Sequence, residues 1–232
     1  MINRIHSTFF QRKIREEIEW TNYWLDNRYN NIQKHILLIG DSTSREIRST
    51  LARISETPVD FIGSSSHVLD ELLLNQIEFF FEMSDFEYKM IHIQLGCHGI
   101  LSLPNDIDLE QFYLDYKEQY RRLILFLKTK SPKIVLGSAT QIVKYPDMKN
   151  SILNKIYNHI HSAKSEIPDM RYEIGIVQRN KIVKELCEEE HVQFDDLYSY
   201  MLSEGRKIRH IDHVHYEKNA RILLANRVMT FI

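Results

Sequence analysis

The chain has 232 residues, 43% hydrophobic and 27% charged, which suits one sizeable α/β domain with a small appendage, long enough to bury its own core. A formal net charge of -2 and a sequence pI of about 6.6 exclude any overall attraction to nucleic acid or anionic membrane. Seven glycines, five prolines and two cysteines, Cys97 and Cys187, leave little for a disordered linker and too few thiols for a disulfide framework or a structural zinc site.

The opening "MINRIHSTFFQRKIREEIEW" lacks the uninterrupted apolar core and small-residue cleavage site of a signal peptide. No apolar run approaches the roughly 20 residues of a membrane-spanning helix. The expectation is a cytoplasmic protein with two reduced thiols. Residues 12–30 place Ile14, Ile18, Trp20, Tyr23 and Trp24 among charges, a pattern that predicts an amphipathic helix. Residues 1–33 then form a helical extension that packs on the domain or on a second subunit, a possible homo-oligomer contact. Residues 34–232 form the main domain.

From His35 onward strand-like and helix-like segments alternate. "HILLIG" is a short apolar run ending in Gly40, as a buried parallel strand would be. "TSREIRSTLARI" carries Ile47, Leu51 and Ile54 at helical spacing, and "PVDFIG" reads as a second strand. In "HVLDELLLNQIEFFFEM" a helix through Leu74 is expected, while Ile77–Phe81 fits either more helix or an edge strand. "KMIHIQLG" is a strand, "DLEQFYLDYKEQYRRLILFLK" a helix, and "SPKIVLGSAT" a strand after a Pro breaker. A helix over "RNKIVKELCEEE", a short strand at Val192–Phe194 and a closing helix in "YEKNARILLANRVMTFI" complete the chain. This alternation implies a parallel sheet covered on both faces. In such sheets the functional crevice lies beyond the carboxyl ends of the strands, where Ser42, Gly63, His98 and Ser138 all fall.

Three groups of residues carry candidate chemistry. In "IGDSTSRE", Ser42 follows a strand-ending Gly40 at the start of a helix. Either Asp41 or Ser42 only caps that helix, or Ser42 is a nucleophile at a helix N-terminus that favours developing negative charge. In "RHIDHVHYEKNA", Asp212 and His215 are three apart, a spacing that lets the carboxylate fix one ring nitrogen while the other faces the serine. His210 and His213 make the same tract a candidate metal ligand set, with a spectator role as the default. In "IQLGCHGI", Gly96 permits close backbone approach and His98 is a candidate oxyanion donor. Gly63 in "FIGSSSH" is a second. For both glycines a plain strand-end turn is the competing reading. Arg45, one turn after Ser42, and Thr140 are candidate substrate contacts; for Arg45 a surface salt bridge competes. Cys97 is expected to point into the core.

Together these blocks resemble the SGNH (GDSL-type) hydrolase family. "GDS" at Gly40–Ser42 looks like its first block, and Gly63 stands where the second-block glycine is expected. "GCHG" at Gly96–Gly99 matches the third, and "DHVH" at Asp212–His215 matches the last. The resemblance spans about residues 35–232 and is closest to the carbohydrate-active esterase branches, some of which carry a histidine in the third block. It implies a three-layer α/β/α sandwich around a mainly parallel, flavodoxin-like five-stranded sheet. It also implies Ser42 as nucleophile, His215 as base and Asp212 as orienting acid. The Ser42 and Gly63 backbone N–H groups and the His98 side chain would form the oxyanion hole. Two departures stand out: the usual third-block Asn is His98, and the usual Asp after it is Gly99.

The activity this implies is a serine esterase that removes a small acyl group, acetyl foremost, from a sugar or glycan ester, with no cofactor. An O-acyltransferase using the same acyl-enzyme and a non-catalytic glycan-binding protein on the same scaffold are the alternatives. Basic residues are dispersed among acids, so nucleic acid is not an expected partner. Substrate choice falls to the segments Ser64–Glu82 and Gln141–Asn150, in which no binding code is readable.

Overall fold

"HILLIG" has no polar face to turn to water, so as a strand it needs cover on both sides. It forms β2 (His35–Gly40), buried at every residue. The computed structural model describes residues 1–12, 20–26, 34–99, 106–143, 171–205 and 208–232. Beside β2 stand β1 (Thr21–Trp24), β3 (Val59–Ser64), β4 (Tyr88–Gln94), β5 (Ile134–Gly137) and β6 (Gln193–Asp195). The helices are α1 (Thr8–Arg12), α2 (Ser42–Ile54), α3 (Glu71–Met83), α4 (Leu109–Lys128), α5 (Arg171–Glu189), α6 (Leu197–Glu204) and α7 (Lys218–Met229).

The sheet order is β1-β3-β2-β4-β5-β6. Strands β2 to β6 pair in parallel, and β1 joins β3 antiparallel at one edge. The five parallel strands therefore follow the flavodoxin-like order, with an added sixth strand beyond the five expected. Alternation along β2 divides the core. Leu37 and Ile39, with Ile91 and Ile93 of β4, face α3, α4 and α5. Ile36 and Leu38, with Met90, face α2, α6 and α7. The result is three layers. Chain order reverses between β2 and β4, and at such a switch point the strand ends part to leave a crevice. Gly40 is in register there with Gln94 on one side and Gly63 on the other.

One expectation on the elements needs correction, and one open reading is decided. Residues 21–24 form an edge strand rather than part of an amphipathic helix; Ile14 and Ile18 lie outside the described residues. Thr, Tyr and Trp favour extended chain, and the free edge of β3 supplies both partners and cover. Tyr23 stacks on Phe80 with ring centroids 6.1 Å apart. Trp24 packs against Phe61 at 6.2 Å and beneath the Arg48 guanidinium. Second, Ile77–Phe81 stay helical within α3, which takes up most of the Ser64–Glu82 segment. The N-terminal residues join the domain core: Ile2 and Phe9 are buried with α3 and α4, and Ile5 N–H donates to Gln119 Oε1 at 2.9 Å. Among the described residues no helix is long and apolar enough to cross a membrane.

Candidate active site

The site begins where β2 leaves the sheet. A Cβ at residue 40 would fall 2.2 Å from Ser44 Oγ and 2.9 Å from the Gln94 carbonyl, so only glycine allows α2 to start this close to β4. Asp41 caps that helix, its Oδ1 accepting from Thr43 N–H at 2.9 Å. Ser42 is thus the first helical residue, with its hydroxyl not needed as the cap. Ser44 Oγ donates to Gln94 Oε1 at 3.0 Å, which ties the first turn of α2 to the end of β4. Ser42 itself is 7% exposed.

The opposite wall comes from the segment before α7. Ile211 N–H donates to His215 O and Glu217 N–H to Arg209 O, both at 2.9 Å, closing a tight turn around residues 211–215. Inside it Asp212 Oδ1 accepts the backbone N–H groups of Val214 (2.8 Å) and His215 (2.7 Å). Its Oδ2 lies 2.6 Å from His215 Nδ1. His215 Nε2 lies 2.7 Å from Ser42 Oγ, across 173 positions of chain. An ionised carboxylate only accepts hydrogen bonds, so Nδ1 carries the proton and Nε2 accepts from the serine hydroxyl.

Electrostatics agree with that assignment. Partial burial pushes the Asp212 carboxyl up, but hydrogen bonds from the His215 ring and from the His215 and Val214 backbone outweigh it and hold it far below the usual range. The same contact with Asp212 raises the His215 imidazole above its ordinary value, against the effect of burial. The group is an acid kept ionised, an imidazole made more basic, and a hydroxyl hydrogen-bonded to it.

Solved structures share this arrangement of sheet and helices. A lipolytic protein of the G-D-S-L family from Veillonella parvula superposes with a TM-score of 0.60 at 15% identity, covering 85% of this chain and 97% of that one. The fold is that of the SGNH (GDSL-type) hydrolases. An acetylxylan esterase from Geobacillus stearothermophilus matches with a TM-score of 0.55 at 15% identity, over 85% of this chain and 93% of its own. A lipase/acylhydrolase from Enterococcus faecalis gives 0.53 at 16%, over 85% and 94%. No protein-family model and no curated protein sequence matches the chain.

On this SGNH-type scaffold the remaining candidate residues divide. Gly63 is not aimed at the crevice. Ser65 N–H donates to Trp20 O across the β1–β3 pair at 3.3 Å, and hydrogen-bonded pairs alternate along an antiparallel ladder. The next such pair is Asn22 with Gly63, which directs the Gly63 N–H at β1. Its lack of a side chain serves packing instead: a Cβ would fall 2.1 Å from the Phe61 ring. Thr140 is fully buried and so is not placed to meet a substrate. Arg45 has no ion-pair partner among the described residues, and its guanidinium lies 4.8 Å over the Trp20 ring. His98 is half-buried in the turn after β4.

Cys97 is buried. Burial, with the Asp41 carboxylate beside it, pushes its thiol far above the usual range, so it stays protonated and unreactive. The histidines of the 210–215 tract point apart. His213 Nδ1 lies 2.9 Å from Val143 O, while the His210 ring packs on Tyr216 at 4.4 Å. Among the described residues no group of three or more His, Cys, Asp or Glu converges to hold a metal.

Two residues that sequence patterning did not single out shape the same turn. Arg179 of α5 is fully buried and donates to the carbonyls of Gly96, His98 and Gly99. The His67 ring packs against Gly99. Neither belongs to a motif, and each lies far along the chain from the turn it touches.

Proposed function

We propose that this protein is a serine esterase that removes a small acyl group, acetyl foremost, from a sugar or glycan ester through an acyl-enzyme on Ser42. The observation that carries the reading is the unbroken chain from Ser42 Oγ through His215 to Asp212, with contacts of 2.7 and 2.6 Å. An isolated serine hydroxyl is a weak nucleophile. A base in hydrogen-bond contact takes its proton as the C–O bond forms, and the acid behind it holds the tautomer and stabilises the imidazolium. His215 then protonates the departing alcohol. Next it activates a water whose attack on the acyl-enzyme frees the acid and restores Ser42.

The negative charge of the tetrahedral intermediate needs donors. The Ser42 backbone N–H, at the first position of α2, has no intrahelical partner and lies at the positive end of the helix. The His98 side chain, from the turn after β4, is the second donor in this reading, and Gly63 is not one. The sugar-ester preference draws its support from the third-block histidine and from likeness in fold to an acetylxylan esterase.

The test is a panel of short-chain p-nitrophenyl esters and acetylated sugars, with wild type and Ser42→Ala compared, plus labelling by a fluorophosphonate. Turnover and an adduct on Ser42, both lost in the variant, support the reading. A folded wild type with neither turnover nor adduct sinks it. Running the same panel with an added acceptor sugar separates hydrolysis from acyl transfer.

A further inference from the structure

We propose that Arg179 is a positioning residue for the proposed esterase, holding the 96–99 turn so that His98 is presented in one orientation; the inference rests on that reading for its kinetic consequences and on geometry for the rest. The turn has little stiffness of its own. Gly96 sits at φ 142° and Gly99 at φ 70°, conformations that glycine adopts freely and leaves as freely. His98 hangs between these two hinges, with only Cys97 also in the span. A donor on such a segment is useful only if something outside the segment fixes it, because preorganisation is the source of its effect.

Arg179 supplies that restraint. Its Nη1 donates to the carbonyls of Gly96 (3.2 Å) and His98, and its Nη2 to that of Gly99 (3.1 Å). Three of the four carbonyls in the turn are therefore gathered on one guanidinium. The group is fully buried, lying 5.0 Å from the Tyr116 ring centroid and 5.6 Å from that of Phe112. A cation taken out of water needs dense polar compensation, and here carbonyl oxygens and ring faces provide it. Rotating the turn would strip that compensation away, so the buried charge and the turn geometry hold each other. From the other side the His67 ring closes on Gly99. The planar fork matters: a lysine in its place presents a point charge that cannot serve the three carbonyls in this geometry.

The experiment uses the full chain and the variants Arg179→Met, Arg179→Lys, His98→Ala and the double His98→Ala/Arg179→Met. With p-nitrophenyl acetate we expect Arg179→Met to lower kcat about a hundredfold, as removal of an oxyanion donor does, with KM within about threefold. Arg179→Lys should lose about tenfold. The double variant should be within about threefold of His98→Ala alone, since a turn without His98 has no donor left to misplace. Hydrogen exchange, read without substrate, should quicken at least about tenfold at residues 96–99 in Arg179→Met and stay unchanged in β4. Losses that multiply in the double variant, or exchange at 96–99 no faster than in wild type, overturn the assignment. If Arg179→Met does not accumulate folded, the same measurements on Arg179→Lys decide. The exchange arm judges Arg179 even in a chain without esterase activity, so its failure and that of the esterase reading are told apart.

Discussion

The imidazole of His67 occupies the volume that a side chain on residue 99 would take: a Cβ built on Gly99 falls 2.2 Å from His67 Cδ2. The departure from the usual third-block Asp is thus matched by a second residue 32 positions earlier, and the left-handed φ of 70° adds its own demand for glycine. Gly99→Asp should therefore cost about 3 kcal/mol, from overpacking and from the backbone conformation together. That is a fall of about 10 °C in Tm for a chain of this size. His67→Ala in the same chain should recover the steric part and not the backbone part. Thermal melts of the two variants and their combination check this; equal Tm for Gly99→Asp with and without His67 refutes the pairing.

Removal of Ser42 or His215 should each abolish nearly all turnover, by at least about 10⁴-fold. The double change should be little worse, because the pair acts as a unit. His98→Ala should lose less, about a hundredfold, as one of the two proposed donors. Single-turnover kinetics on the four variants measure this. Independent, multiplying losses for Ser42→Ala and His215→Ala would place the hydroxyl and the imidazole in separate steps.

In the proposed mechanism only neutral His215 can take the serine proton, so kcat/KM should fall as pH drops through the pKa of that ring. The hydrogen bond to Asp212 raises this pKa above the ordinary imidazole value of 6.5, so the acid limb should lie above pH 6.5. Asp212→Asn removes the largest raising contact. The limb should then move to lower pH while the plateau drops by about 10⁴-fold, since an amide can also hold the wrong tautomer. A pH–rate profile from 5 to about 9 reads both effects. An acid limb that stays in place in Asp212→Asn removes Asp212 from the mechanism.

Much of this was legible because it follows from local pattern. Apolar runs ending in glycine marked β2, β3 and β4. The spacing of Asp212 and His215 already suited a single turn, and the structure uses it for one. What was not legible depended on contacts across the chain. Thr21–Trp24 has spacing that fits a helix, yet the open edge of β3 takes it as a strand. The Gly63 N–H looked available at a strand end, and only the antiparallel partner at Asn22 decides its direction. Thr140 follows a strand as Ser42 does, but the layers close over it. Arg179 sits in an amphipathic helix among seven other charged residues of α5; its burial depends on which side of α5 meets the sheet, not on any motif.

His–Asp contact alone did not identify the site, because two further such pairs stand among the described residues. His35 Nδ1 lies 2.9 Å from Asp60 Oδ2, and His92 Nε2 lies 3.1 Å from Asp195 Oδ2. Both pairs are nearly or wholly out of solvent, whereas His215 and Asp212 keep 28% and 49% of their side-chain exposure. Asp195 also accepts from Arg227 Nε at 2.7 Å, and His92 fills the space beside Gly137. That pair pins β4 to β6. Asp195→Ala should leave two buried-side partners uncompensated and cost about 3 kcal/mol, the lower end for a broken buried pair because Arg227 can turn to water. Tm should fall by about 10 °C. At 25 °C the surviving folded protein should keep the kcat and the acid limb of the proposed reaction. Asp212→Ala should do the reverse, with little change in Tm and a collapsed rate. Melting curves and pH–rate profiles on the two variants separate a structural pair from a working one. An acid limb that moves in Asp195→Ala would mean the two pairs are coupled through the sheet.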